Sequence, residues 1–333
     1  MRHAGPTRRR ILRTGAAFAG AGLASPFVAR TALAAWPDRP VRLVVPFGAG
    51  GPVDVVARLL QPALNEELKG SFFVENKPGA GGNIGVTQVA RSDPDGYTVL
   101  VTSNTVIINP LIHANPGYDL RDLSPLVDIG GSPTAFAVHR DLGIGTVADF
   151  VALAKQRRGG INYGSAGVST TAFFAGEFFK SRAGIDMTHV PYNGAGPAIQ
   201  ALIGKQVDMV SGALAGAHPH IVAGTLKGLA VTGEKRWWDL PDVPTMVESG
   251  YPGFVLETKV MMLAPAKTPP EIAERLASAT IAILKTDAMR DRLRKAGVEP
   301  SGAGPAALKA RFEKEVPFWT EVLKAAGMTP QVR

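Results

Sequence analysis

The 333-residue chain contains no cysteine. Disulfides, thiolate-ligated metals and cysteine nucleophiles are therefore excluded, and stability must come from core packing. Aromatic residues are sparse at 7% of the chain, and no basic stripe interleaved with them marks a nucleic-acid surface. Beyond the N-terminal leader there is no continuous run of about 18 apolar residues, the length a membrane span requires. Haem and iron–sulfur motifs are also missing, so no cofactor is expected.

What is present begins with a leader. Arg8, Arg9, Arg10 and Arg13 precede a small apolar run from Gly15 to Ala29, and Ala32-Leu33-Ala34 has the small residues of a peptidase site. Residues 1–34 read as an export signal, with Thr7 to Arg13 resembling the twin-arginine type, and a periplasmic location is expected. The leader holds six of the 36 Lys and Arg residues and none of the 28 acidic ones, so its removal takes the formal net charge from +8 to +2. Basicity is thus a property of the leader. The remaining chain, about 299 residues long, lies near the size at which chains divide into two domains.

The mature sequence alternates strand and helix signals. Val41 to Val45 is an apolar strand, followed by the glycine loop Phe47-Gly48-Ala49-Gly50-Gly51 and then Val55, Val56, Leu59, Leu60, Ala63, Leu64 and Leu68 at helical spacing. Strands are predicted at 72–75 and 97–101, with a second glycine turn at 79–82 and a short helix from Ile84 to Ala90. After Pro133 to Val138 the series starts afresh: Asn162-Tyr163-Gly164 leads through Ser165 to Thr171 into a helix from Ala172 to about Lys180. A turn-rich stretch, 237–253, precedes a strand at 260–263, a helix capped by Thr268, and a last helix over 305–325 with Leu308, Phe312, Val316, Trp319 and Leu323 on one face. Such alternation predicts an α/β protein. Its expected division is 35–139 plus 256–333 as lobe 1 and 140–255 as lobe 2, with two chain crossings forming a hinge.

The glycine loops are candidate anion sites. A Walker loop is ruled out because Pro52-Val53-Asp54 follows Gly51 where Lys and a hydroxyl are needed. A dinucleotide loop is disfavoured by Val53 at its third glycine position. Asp54 reads as the cap of a helix beginning at Val55. In the second loop Ser165, Ser169, Thr170 and Thr171 offer hydroxyl donors beside a helix N-terminus, which can hold a carboxylate without a formal positive charge.

Several segments together carry a resemblance: Phe47 to Asp54 with Ala57-Arg58, Val74-Glu75-Asn76-Lys77-Pro78-Gly79-Ala80-Gly81-Gly82, Asp95-Gly96-Tyr97-Thr98, Val190-Pro191-Tyr192 with Gly194, Gly204-Lys205-Gln206-Val207-Asp208, Leu240 to Thr245, Glu248 to Gly253 and Ala264-Pro265. In order and across nearly all the mature chain, they resemble the Bug or TctC extracytoplasmic solute receptors of tripartite tricarboxylate transporters. The resemblance implies a type II periplasmic binding protein, two α/β lobes joined by a two-segment hinge, with a small carboxylated ligand in the cleft. It also implies ligand approach by Phe47, Gly48, Ala49, Gly50 and Gly51 through backbone groups. A carboxylate grip by Ser165, Ser169, Thr170 and Thr171, and sites at Tyr192 and Asp208, follow from it too. The implied partners are membrane permease subunits, or a sensor protein if the receptor serves signalling.

Relatives tend to carry Pro at Gly48, Thr at Val53, Gly at Ser169, His at Phe173 and Lys at Asn193. These departures make the expected site less cationic and more apolar, favouring a monocarboxylate or aromatic acid over citrate. The enzymatic alternative is a serine hydrolase. Gly164-Ser165-Ala166-Gly167 is one residue short of a nucleophile elbow, and His189, His218 and His220 have no evident acid partner. His218-Pro219-His220 lacks a recognisable third metal ligand and reads as a surface turn.

Overall fold

The computed structural model describes Met1 and residues 36–157, 159–168, 170–192 and 194–329. Apart from Met1, the expected export signal therefore lies outside the described residues, as do Ser169 and Asn193. All the elements below belong to the second of two units into which the chain divides, Pro37–Arg333.

Two sheets share one long strand. In the first, β1 (Val41–Val45) pairs in parallel with β2 (Phe72–Asn76) and β3 (Thr98–Ser103), and β3 pairs antiparallel with β9 (Glu257–Pro265). The shared strand is β4 (Leu123–His139). Its first part pairs with β9 and with β10 (Glu299–Ala303). From Thr134 onward it pairs instead with β7 (Met209–Ala213) and β8 (Leu226–Val231), while β5 (Ile161–Ser165) runs parallel to β6 (Met187–Pro191) and β7. Residues 134–139, expected with the first lobe, thus hydrogen-bond within the second sheet. The strand passes between sheets with Leu126 to Val138 buried throughout, so that the turn-type sequence Gly130-Gly131-Ser132-Pro133 within it stays extended.

The second crossing lies between β8 and β9, and Thr232 fastens it to the first. Its backbone N–H donates to the Thr134 carbonyl at 2.9 Å, its hydroxyl accepts from Thr134 N–H at 2.9 Å, and that hydroxyl donates to the Leu256 carbonyl. Thr232 is fully buried, so one side chain ties the two crossing strands where water does not compete. Nearby, Gly130 sits at a register shift in β4, where an added Cβ would lie 2.3 Å from the Glu299 carbonyl oxygen. Only glycine permits β10 this close approach.

Ten helices are described. They are α1 (Pro52–Leu68), α2 (Asn83–Ala90), α3 (Thr105–Ile112), α4 (Val147–Gln156), α5 (Thr171–Ala183), α6 (Ala195–Ile203), α7 (Leu214–Val222), α8 (Pro270–Lys285), α9 (Asp287–Lys295) and α10 (Pro305–Ala325). None is long and apolar enough to cross a membrane. The last helix matches its expected span despite Pro317 within it, and Trp319, 1% exposed, meets Phe174 of α5 edge-on at 5.8 Å. Its aromatic stripe is core. Phe136, Phe178, Phe179 and Phe254 continue that core with ring centroids 5.1–6.5 Å apart.

Three local expectations are corrected. Pro269, not Thr268, occupies the cap position of α8, since Pro270 takes the first helical position, which proline suits, and the Thr268 hydroxyl has no hydrogen-bond partner there. His218-Pro219-His220 lies inside α7 rather than in a turn, and His218 Nε2 meets Asp239 Oδ2 at 2.8 Å. The tail beyond residue 256 holds β10 and α9 as well as the elements anticipated, because Glu299 to Ala303 lacks the alternation that announces a strand.

Candidate functional site

In a sheet with parallel strands the loops after the strands gather at the carboxyl edge, where helix N-termini and unpaired backbone groups also meet. The turns after β1, β2 and β3 meet this condition in the first sheet, and the turn after β5 meets it in the second. Together they line a cavity of about 800 Å³.

The turn after β1 is fastened by a buried carboxylate. The helix α1 begins at Pro52 with Gly51 at its cap position, so Asp54 is the third helical residue and not the cap before Val55. Proline suits the first turn, which moves the start three residues earlier than the apolar spacing suggested. Asp54 is 1% exposed. Its Oδ2 accepts from the Gly50 N–H at 2.8 Å and from Arg58 Nε at 2.9 Å, and Asn76 Nδ2 donates to Oδ1 at 2.8 Å. Burial pulls the carboxyl upward, but the donors from Arg58, Gly50 and Asn76 outweigh it and hold it below the usual carboxylate range. Gly50 adopts φ +80°, the left-handed region that directs its N–H back at Asp54. Asn76 also donates to the Phe47 carbonyl at 3.1 Å, fixing the near end of the same turn.

The turn after β5 is held without charge. Ser165, fully buried at the end of β5, has its Oγ 2.8 Å from His189 Nε2 and accepts from the Gly167 N–H at 3.3 Å. Burial pushes the His189 imidazole down, against the raising effect of the Glu177 charge. Thr170 caps α5: its hydroxyl accepts from the Phe173 N–H at 3.1 Å and donates to the Gly167 carbonyl at 2.8 Å. Thr171 opens the helix.

The cavity wall draws on both turns. Phe47, Pro52 and Val53 come from the first, and Val168, Thr170 and Thr171 from the second. Ala80, Gly81 and Asn83 follow β2; Ser103 ends β3, and Thr105, Asn109, His113 and Asn115 follow it; Thr258 comes from β9. Ala80 and Gly81 lie in the glycine turn noted in the sequence, whereas the residues from Ser103 to Asn115 and Thr258 were not singled out from it. The one signal for them was the polar Ser103-Asn104-Thr105 at the carboxyl end of the buried strand β3. Here Ser103 Oγ and Thr105 Oγ1 are 3.0 Å apart, and Asn109 Nδ2 donates to the Gly81 carbonyl at 3.0 Å and to Asn83 Oδ1 at 2.6 Å.

Among these lining residues there is no Lys, Arg, Asp or Glu. The site offers hydroxyls, carboxamides, backbone amides and one imidazole. Another cavity, of about 760 Å³, is lined by Arg140, Lys227, Asp239 and Asp242 among others, but by neither turn.

Other expected site residues are placed elsewhere. Gly48, Ala49 and Gly50 are exposed, and with Gly51 they adjoin the cavity without lining it. Tyr192 donates its N–H to the Ser165 carbonyl and lays its ring against Gly164. Asp208 accepts from Arg157 Nη1 at 2.5 Å and from the Asn162 N–H at 2.9 Å, which commits both oxygens to bracing β5. Val53 does line the cavity, whereas Phe173 stacks beside His189 at 4.8 Å. The Ser165–His189 pair is half of a hydrolase relay, but Ser165 is inaccessible. Among the described residues no carboxylate hydrogen-bonds the imidazole, and Glu177 is held by the Tyr163 hydroxyl at 2.6 Å.

Residues 56–328 match the model of the tripartite tricarboxylate transporter family receptor, TctC. A UPF0065 protein of Agrobacterium vitis is 35% identical over 306 residues, covering 91% of this chain and 88% of that one. A Rhodopseudomonas palustris structure solved with adipate is 35% identical with TM-score 0.78, covering 88% of this chain and 99% of that one. MatC from Rhodopseudomonas palustris, solved with bound malate, is 29% identical with TM-score 0.73, covering 86% and 100% respectively. These likenesses bear out the α/β fold of periplasmic solute-binding proteins, and the matching family is one of receptors rather than enzymes. The chain belongs to the TctC family of tripartite tricarboxylate transporter receptors.

Proposed function

We propose that this receptor captures a small carboxylate in the cavity shared by the turns after β1 and β5, after export to the periplasm by the 1–34 leader. A monocarboxylate or aromatic acid is favoured over citrate. It then presents the ligand to the permease subunits of a tripartite tricarboxylate-type transporter. The observation that carries this reading is a cavity wall rich in neutral donors and free of charged side chains. Neutral donors and a helix N-terminus compensate one carboxylate. A trianion brought to the same wall leaves buried charge uncompensated, which is costly. Val53, where relatives tend to carry a hydroxyl, adds apolar surface suited to a hydrocarbon or aromatic body.

We also place the lobe junction near Pro133–Thr134 and Leu256–Glu257, with Thr232 joining the two connecting strands. Ligand bridging the two turns would favour the closed arrangement by its differential affinity for it. Adipate and malate, bound by the two R. palustris proteins, are dicarboxylates and support the wider class of small carboxylates, not the preference for a monoacid. Isothermal titration calorimetry with benzoate, hexanoate, adipate and citrate at neutral pH tests the reading. Benzoate or hexanoate is expected to bind more tightly than citrate; tight citrate binding with no affinity for either monoacid overturns the preference. Uptake of labelled ligand into cells with and without this receptor and its permease tests the transport role.

A further inference from the structure

We infer that Asn83 and Asn109 form a subsite for the far end of the ligand, an inference that rests on the carboxylate reading above. The pair selects acids whose second polar group is neutral and both donates and accepts hydrogen bonds, as a carboxamide or a hydroxyl does. Asn83 opens α2 and Asn109 lies in α3, so the segments after β2 and β3 each supply one side chain. The two residues are 8% and 4% exposed, and both line the cavity.

One group that can only accept fixes the orientation of both amides. The Gly81 carbonyl takes a hydrogen bond from Asn109 at 3.0 Å, so the nitrogen of Asn109, not its oxygen, lies on that side. The same nitrogen stands 2.6 Å from Asn83, which must therefore present its oxygen. Both hydrogens of Asn109 Nδ2 are thereby used. What remains is a donor, Asn83 Nδ2, on one amide and an acceptor, Asn109 Oδ1, on its neighbour, and neither has a hydrogen-bond partner among the described residues. Neither atom is sealed in the interior, as the unpartnered Asn104 Oδ1 is, so both open onto the cavity that their residues line.

A buried donor or acceptor that loses water on ligand binding and gains no partner weakens that binding. A carboxamide or hydroxyl at the far end of the ligand matches both free atoms. A methyl group matches neither. A second carboxylate only accepts, so it satisfies Asn83 Nδ2 but sets its charge against the Asn109 oxygen. Ser103 and Thr105, whose hydroxyls can donate or accept, add no preference of their own. The asparagine pair belongs to the first sheet's loops, whereas Thr170 and Thr171 at the start of α5 follow β5 of the second. A ligand that spans the cavity is thus held as a carboxylate at one end and by neutral amides at the other.

Calorimetry on the exported receptor at neutral pH tests this with two matched series that differ at one end only. The first is hexanoate, adipate and the monoamide of adipic acid; the second is benzoate, terephthalate and the monoamide of terephthalic acid. In the series that fits, the monoamide is expected to bind about tenfold more tightly than either the monoacid or the diacid. Asn83→Ala is expected to abolish the difference between monoamide and monoacid, whereas a merely structural role would weaken the whole series together and leave that ratio unchanged. Asn83→Asp keeps the acceptor for Asn109 and replaces the free donor by a charged acceptor, so the diacid-to-monoacid ratio should fall below that of the wild type. Circular dichroism checks the fold of each variant. A diacid that binds as tightly as the monoamide, or a monoamide-to-monoacid ratio unchanged in Asn83→Ala, overturns the subsite while leaving carboxylate capture standing. Binding of none of these acids overturns the carboxylate reading and the subsite together.

Discussion

The turn after β1 is held by a charge and the turn after β5 by neutral groups, although both line the same cavity. Asp54 draws in Arg58, Asn76 and the Gly50 amide from below the first turn, whereas Ser165, His189 and Thr170 brace the second through hydroxyls and an imidazole. The one fastening charge, Asp54, is not among the residues that line the ligand space. Charge buried beneath a loop can fix its geometry while the surface offered to an anion stays neutral. A carboxylate at Asp54 would repel an anionic ligand if it pointed into the cleft, and its three donors keep it turned away.

Removing the charged fastening should have the largest effect. Asp54→Ala deletes the acceptor of three hydrogen bonds and is expected to cost about 2–3 kcal/mol of stability. Urea denaturation reads this, together with weaker ligand binding; a variant within experimental error of the wild type would show that the turn needs no charge. On the neutral side, Ser165→Ala leaves Nε2 of the half-buried His189 without its partner and should cost about 1 kcal/mol. Calorimetry should show weaker binding as the 165–171 turn loosens, and undiminished affinity would separate this pair from the site. Thr170→Ala removes only a cap and should cost about 1 kcal/mol, with Thr170→Ser retaining most of the stability. A loss equally large in the serine variant would mean that the methyl, not the hydroxyl, matters.

The smallest effect expected is a difference in pH dependence between the two turns. Burial lowers the proton affinity of His189 in the folded protein, so the unfolded chain binds that proton more readily. Its contribution is therefore present above the ordinary imidazole range, near pH 6.5, and is lost as pH falls through that range. The Asp54 carboxyl is held low, so its contribution is present above the ordinary carboxyl range, near pH 4, and is lost only as pH falls toward the lower folded value. Denaturation midpoints between about pH 7 and pH 5 should fall less in His189→Gln than in the wild type, whereas the Asp54→Ala difference should hold nearly constant there. Parallel profiles for wild type and His189→Gln would remove the distinction.

Much of this arrangement was legible along the chain. The Phe47 to Gly51 turn, the hydroxyls before α5 and the 305–325 helix each depend on local chemistry: glycine's access to positive φ, the capping of a helix, and apolar residues at helical spacing. Asp54 was read as important but placed one role away, because spacing starts a helix at its first apolar residue and Pro52 starts it earlier. Asp208 and Tyr192 belong to recognisable segments, yet Arg157 and Gly164, distant in sequence, claim their side chains. Asn109 and His113 sit in and just after a short helix, Thr-Val-Ile-Ile-Asn-Pro-Leu-Ile, whose composition is mostly apolar. Nothing in that run marks two residues as wall of a cavity.

The sequence by itself determined the α/β alternation, the family and the two turns, because strand and helix periods, glycine conformations and caps act over a few residues. Only the tertiary structure decided which side chains meet at the cleft. Pairing three parallel strands brings Ser103, Thr105 and His113 to the same edge as Phe47. The passage of β4 and β9 between neighbouring strands brings Thr258 to the turn after β5. These contacts join residues separated by tens to hundreds of positions, and they are set by sheet register and burial, which no local pattern records.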